Sequence, residues 1–176
     1  MTELRPATSA DIPALQSLID ASVRELSRGY YTDAQIESAL RYVFGPDTQL
    51  IADGTYYVIP APDGFAASGG WSRRRTLFGG DQMKGGEDPL LDPEREPARI
   101  RAFYVHPAWA RRGLGRRMLE HCAAAARTAG FHRLELMATL PGVPLYAVMG
   151  FMPLEEAHPV LPDGVELPML RMGRTL

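Results

Sequence analysis

Ala98-Arg99-Ile100-Arg101-Ala102-Phe103-Tyr104-Val105-His106-Pro107, running through Ala108-Trp109 into Ala110-Arg111-Arg112-Gly113-Leu114-Gly115-Arg116-Arg117-Met118-Leu119, is the stretch on which the fold turns. Its first part, with Ile100, Phe103, Tyr104 and Val105, reads as a strand over Arg99 to Val105. Its last part opens a helix from Leu114 to Thr128, with Leu114, Met118, Cys122, Ala125 and Ala126 as the apolar stripe and Gly130 closing it. A helix N-terminus leaves its first N–H groups unpaired and carries the positive end of the macrodipole, so a phosphate docks there wherever the backbone allows close approach. Gly113 and Gly115 allow it, and Arg111, Arg112, Arg116 and Arg117 add charge suited to phosphate oxygens.

What the loop lacks narrows the ligand. No Lys-Ser/Thr follows Gly115, which excludes a P-loop for magnesium nucleotides, and Met118 stands where a dinucleotide fingerprint needs a third glycine. The segment resembles the Q/R-x-x-G-x-G/A pyrophosphate signature of the GNAT superfamily of N-acyltransferases, with Ala110 at the first motif position, where Arg111 and Arg112 are expected to supply the missing contact. Downstream, Leu145-Tyr146-Ala147-Val148-Met149-Gly150-Phe151 resembles the family's L-Y-x-x-x-G-F, following a strand-like Leu134 to Ala138. Either motif alone has an ordinary reading, a basic helix start or a packing tyrosine; in order and in context they support each other.

Composition agrees. A chain of 176 residues, 45% hydrophobic, buries a substantial core without staples, so one domain over residues 1–176 is expected. The net charge of −2 argues against a nucleic-acid binder. Lys84 is the sole lysine, and Cys122, the sole cysteine, excludes an internal disulfide and a cysteine-rich metal site. His106, His121, His132 and His158 lack metal-ligand spacing, so no metal is expected. The absence of a membrane-length apolar run and of a signal-like stretch at Met1-Thr2-Glu3-Leu4-Arg5 points to a cytoplasmic protein without membrane association.

The remaining pattern supplies the other elements. Leu4 to Thr8 reads as a strand, followed by a helix capped at Ser9 or Asp11 and reaching Leu26, with Pro13 in its first turn. Thr32-Asp33-Ala34-Gln35 is a capping box opening a helix that ends at Gly45-Pro46. Thr55 to Ile59 and Gly64 to Ala67 form a hairpin about Pro62-Asp63-Gly64, and the second strand continues to Trp71. Ser72 to Pro97 is a long Gly-, Pro- and charge-rich connection, functional or disordered by its length. Met152 to Glu155 and Val165 to Met172 close the chain as a hairpin turning at Pro162-Asp163-Gly164. Element order matches the GNAT fold, an α/β (α+β) architecture with a mixed sheet of about seven strands, split by a V-shaped opening between its central parallel strands, and about four helices.

The resemblance implies the roles. Acetyl-coenzyme A is the expected co-substrate, its pantetheine pairing with Phe103, Tyr104 and Val105 and its pyrophosphate held by Arg111, Arg112, Gly113, Leu114, Gly115 and Arg116. Thr139 stands near a cofactor-contacting position, and Tyr146 matches the general acid that protonates the departing thiolate. Tyr30, Tyr31 and Trp71 are candidates for the acceptor groove, the acceptor being a small-molecule or peptide amine; core packing explains the same three residues equally well. A homodimer is left open. The loop at 72–97 is expected to border the acceptor site and to be dispensable for folding, since both motifs lie outside it. No general base is assigned: Arg99 and Arg101 occupy the strand where some relatives carry an acid, and Glu135, Asp81, Glu87, Asp88, Glu94 and Glu96 read as solvated carboxylates. A coenzyme-A-binding domain without catalysis is the alternative, and an anion- or nucleic-acid-binding module the more distant one.

Overall fold

The computed structural model describes residues 3–176; Met1 and Thr2, part of the stretch read for a leader, lie outside the described residues. The strands are β1 (Arg5–Pro6), β2 (Tyr56–Ala61), β3 (Gly64–Ser72), β4 (Ala98–Val105), β5 (Arg133–Thr139), β6 (Met152–Ala157) and β7 (Met169–Thr175). They form one seven-stranded sheet in the order β1-β2-β3-β4-β5-β7-β6. Helices α1 (Ile12–Leu26), α2 (Asp33–Tyr42), α3 (Thr48–Ala52), α4 (Leu114–Thr128) and α5 (Val143–Val148) connect and cover it.

Local chemistry sets most element ends. Thr32 accepts from the Gln35 N–H at 3.2 Å while the Gln35 side chain accepts from the Thr32 N–H at 2.9 Å, so the expected capping box starts α2. At the start of α1, Thr8 and Asp11 make the equivalent exchange around a short 3-10 turn, and Pro13 is accommodated just beyond it. The short helix α3, beyond the elements read from sequence, is capped by Asp47, whose carboxylate accepts from the Leu50 N–H at 3.1 Å. Between β6 and β7 the chain turns at Pro162-Asp163-Gly164, but only Val160 and Glu166 bridge there. The final strand therefore starts at Met169, later than the pattern suggested.

The central pair is parallel and short. β4 and β5 pair only at Ala98 with Leu134 and Arg99 with Glu135. Beyond that point β4 follows β3 while all seven residues of β5 pair with β7, and the sheet opens as a V. At its closed end Glu135 accepts from Arg99 at 2.8 Å and from Arg171 at 2.9 Å, tying the two halves together. Tyr31 ties the open end, donating its hydroxyl to the Pro168 carbonyl at 2.6 Å and accepting from the Leu140 N–H at 3.1 Å. Helix α4 packs on β3 and β4 through the fully buried Met118, Leu119, Cys122 and Ala126, each of the two larger side chains worth about 1.5–3 kcal/mol of burial.

The connection at 72–97 is packed against the body. Arg74 holds Asp53 through two bonds, of 2.7 and 3.0 Å, and backbone bonds join Leu91 to Arg73 and Arg75 to Pro89. Leu91 lies in the main core at 5% exposure. The loop is therefore part of the folded structure, which the sequence, lacking any periodicity here, did not indicate.

Candidate active site

The V opens into a cleft of about 620 Å³. Its walls come from the end of α1, the residues after α2, the loop at Leu77 to Gly80, strand β4, the glycine loop, and α5. A larger hollow, of about 830 Å³, lies beside Arg133, Glu135, Val148 and Met149, sharing only Arg116 with the cleft. Of the two, the smaller cleft is the candidate site, because it gathers Gly113, Gly115 and Tyr146.

Strand β4 is shaped for it. The register shifts between Ser68–Tyr104 and Gly70–Arg101, leaving a bulge at which Ala102 adopts a left-handed φ of 57°. For a residue with a Cβ that conformation costs roughly 1–2 kcal/mol, and such strain gathers at functional sites. Opposite the bulge Gly69 carries no side chain, and a Cβ there would lie 2.7 Å from the Phe103 ring and 2.4 Å from Met118 Cγ. Past the bulge, the His106 N–H bonds to the Ala66 carbonyl. Since antiparallel partners alternate, the peptide groups of Val105 point to the other edge, the one β5 has left. The strand thus offers unpaired donors and acceptors to whatever enters the V.

The glycine loop stands at the end of that edge. Arg111 has a φ of 62° and Gly113 a φ of 77°, and the first intrahelical bond of α4 runs from the Arg117 N–H to the Gly113 carbonyl. The N–H groups of Leu114, Gly115 and Arg116 therefore have no helical acceptor and open toward the cleft that these residues line. The two glycines differ in purpose. Gly113 has open space where a Cβ would be and is needed for its backbone angle, whereas a Cβ on Gly115 would come 2.8 Å from Leu145 Cδ2. Gly115 is thus the contact through which the two sequence motifs meet.

Tyr146 is 9% exposed, with its ring 6.3 Å from Phe103 and 5.7 Å from Phe151, centre to centre. Burial pushes its phenol above the ordinary range, so it carries its proton at neutral pH. Thr139 lines the cleft at the end of β5, and Phe103, Tyr104 and Val105 line it from β4. Of the arginines, Arg111 and Arg116 line the cleft, while Arg112 stacks on Trp109 at 5.0 Å and is absent from the lining.

Of the three expected acceptor residues, only Tyr30 lines the cleft, at 51% exposure. Tyr31 is buried with its hydroxyl spent on Pro168 and Leu140. Trp71 lies in the main core against Phe131 and under Arg73, because inward-facing positions of β3 near its end fall beneath α4 rather than in the V. Residues the sequence reading passed over take that wall, Ser22, Val23 and Leu26 of α1, Phe44 and Asp47, together with Leu77 to Gly80 of the loop expected to border it. Asp47 and Arg101 are the informative pair, buried to 1% and 3% side-chain exposure and 2.8 Å apart. An arginine between Ile100 and Ala102 in a central strand was the available signal, since a buried guanidinium requires a carboxylate from elsewhere. Glu135, held by Arg99 and Arg171, is a structural carboxylate. Among the described residues no group of three or more His, Cys, Asp or Glu side chains is placed to hold a metal, and no helix is long and apolar enough to cross a membrane.

A sequence model of the acetyltransferase (GNAT) family matches residues 21–151. Among solved structures, a GCN5-related N-acetyltransferase (Aminotransferase, Class-II) from Rhodopseudomonas palustris is similar over 100% of this chain and 96% of its own, at 18% identity and a TM-score of 0.73. PaiA N-acetyltransferase from Thermoplasma acidophilum, solved in complex with coenzyme A, is similar over 100% and 99%, at 13% identity and 0.67. A ribosomal-protein-alanine N-acetyltransferase from Brucella melitensis covers 99% of each chain at 18% identity and 0.63. No curated protein sequence matches the chain.

Proposed function

We propose, for a chain that belongs to the acetyltransferase (GNAT) family, that it moves an acetyl group from acetyl-coenzyme A to a primary amine by direct attack in a ternary complex. The observation that carries this reading is the unpaired edge of β4, set between a left-handed bulge and a helix N-terminus, with a protonated tyrosine at its side.

Each part has a chemical use. The N–H groups of Leu114, Gly115 and Arg116, with Gly113 turning the chain, hold the pyrophosphate, and the side chains of Arg111 and Arg116 neutralise it from the cleft. Arg112, stacked on Trp109, adds charge at the rim. The Val105 peptide pairs with the pantetheine amides, and Phe103, Tyr104 and Thr139 shape the slot around the thioester. A backbone N–H in Phe103 to Val105 stabilises the oxyanion as the neutral amine attacks, Tyr146 gives its proton to the leaving sulfur, and the proton that the nitrogen sheds in becoming an amide passes to solvent, from which the phenolate is reprotonated. The whole of residues 1–176 acts as one acyltransferase domain.

Two measurements test this. Acetyl-coenzyme A binds the folded chain and raises its melting temperature. Tyr146→Phe keeps that shift and lowers thiol release by ~100-fold. Absence of a thermal shift refutes the co-substrate, and undiminished turnover removes Tyr146 from the chemistry.

A further inference from the structure

The identity of the acceptor rests on the acetyl-transfer reading, and the wall opposite the glycine loop constrains it. The charged side chains lining the cleft are Asp47, Arg101, Arg111 and Arg116, and the last two belong to the glycine loop and the first turn of α4. At the other end Asp47 and Arg101 are committed to each other, Nη2 to Oδ2 at 2.8 Å. The second oxygen of Asp47 accepts from the Leu50 N–H and from the Lys84 ammonium. Arg101 gives two further N–H groups, one from Nη1 and one from Nη2, to the carbonyls of Thr76, at 3.1 Å, and Gly79. Asp47 and Arg101, at 1% and 3% side-chain exposure, are paired within the wall and leave almost no charged surface to a ligand.

What remains there is apolar or neutral: Val23, Leu26, Phe44, Leu77 and Phe78, with hydroxyls from Ser22, Ser27 and Tyr30. A second ammonium or a carboxylate on the acceptor would enter this space without a counter-charge and lose its hydration. We infer that the acceptor is a primary amine whose remainder is uncharged and apolar, seated among Leu26, Tyr30, Phe44, Leu77 and Phe78. The segment Thr76 to Gly79, latched by Arg101, closes that seat and sets its size.

The test compares three amines of equal length at saturating acetyl-coenzyme A, followed by thiol release: hexylamine, hexamethylenediamine, which adds a terminal ammonium, and ε-aminocaproate, which adds a carboxylate. Hexylamine is expected to show a kcat/KM about tenfold or more above both others. Phe78→Asp introduces an uncommitted carboxylate and raises the diamine-to-hexylamine ratio by about tenfold. Tyr30→Asp, at a half-exposed mouth position, provides the same readout in a variant whose folding is not at stake. Retention of the thermal shift with acetyl-coenzyme A confirms that each variant is folded. Equal or faster turnover of the charged amines by the wild type, or an unchanged ratio in the folded variants, overturns the inference and leaves acetyl transfer standing. Absence of thiol release with all three amines, despite a thermal shift, overturns the transfer reading and the inference with it.

Discussion

Asp47→Ala removes the carboxylate on which the acceptor wall is built, and its cost follows from the groups that carboxylate holds. Asp47 is 1% exposed and receives Arg101 Nη2 at 2.8 Å, the Lys84 ammonium and the Leu50 N–H at 3.1 Å. Without it, Arg101 stays buried with the carbonyls of Thr76 and Gly79 as partners and no carboxylate bonded to it. Breaking a buried pair in this way costs about 3–5 kcal/mol, and the missing cap of α3 accounts for roughly 1 kcal/mol of it. For a domain stable by about 5–15 kcal/mol, that is a large share, read as a lower midpoint in urea unfolding at neutral pH. Asp47→Asn keeps an oxygen for Leu50 but not the charge, and falls between wild type and Asp47→Ala. Adding Arg101→Met to Asp47→Ala removes the stranded guanidinium, so the double variant is more stable than the sum of single effects predicts by about 2 kcal/mol. Additivity to within about 0.5 kcal/mol would refute the idea that these two charges are held as a unit.

Three further substitutions probe the glycine loop, the long connection and the start of α1. Gly115→Glu drives a side chain into Leu145 and sets a negative charge where the pyrophosphate is to lie, so the thermal shift with acetyl-coenzyme A disappears while the unliganded chain remains folded by circular dichroism. Leu91→Ala, in the loop at 72–97, destabilises by about 2–4 kcal/mol because its side chain is 5% exposed in the main core; an effect below about 0.5 kcal/mol in urea unfolding would mean the loop is loose in solution. Hydrogen bonding to Arg5 holds the Asp11 carboxyl down to about 2, against an unfolded value near ~3.9. The stability it gives is present above about pH 4 and is lost as the pH falls toward 2, so Asp11→Asn costs roughly 1 kcal/mol at neutral pH, after allowing for solvent around the half-exposed Arg5, and the gap to wild type narrows across that window.

Much of the fold was legible because its signals are local. The Thr32 to Gln35 box, the Pro62-Asp63 turn and the amphipathic stripe of α4 are each written within one helical turn or one hairpin, where hydrogen bonding depends on neighbours in sequence. The glycine loop and the Leu145 to Phe151 motif were likewise recognisable, through their resemblance to the family's two motifs. Their meeting was not: Gly115 and Leu145 touch only because α5 follows β5 across the V.

By itself the sequence determined the order of elements apart from α3, the helix start with its exposed N–H groups, and the family. The tertiary structure alone decided where β4 and β5 part, that Ala102 takes a left-handed bulge, and which aromatic side chains face the cleft. Tyr30, Tyr31 and Trp71 look alike as residues, yet one lines the opening, one clamps Pro168 and Leu140, and one is core. The reason is range. Asp47 and Arg101 stand 54 positions apart, and neither periodicity nor propensity carries information over that distance; only the packing of α3, the loop at Thr76 to Lys84 and β4 around one buried charge brings them together.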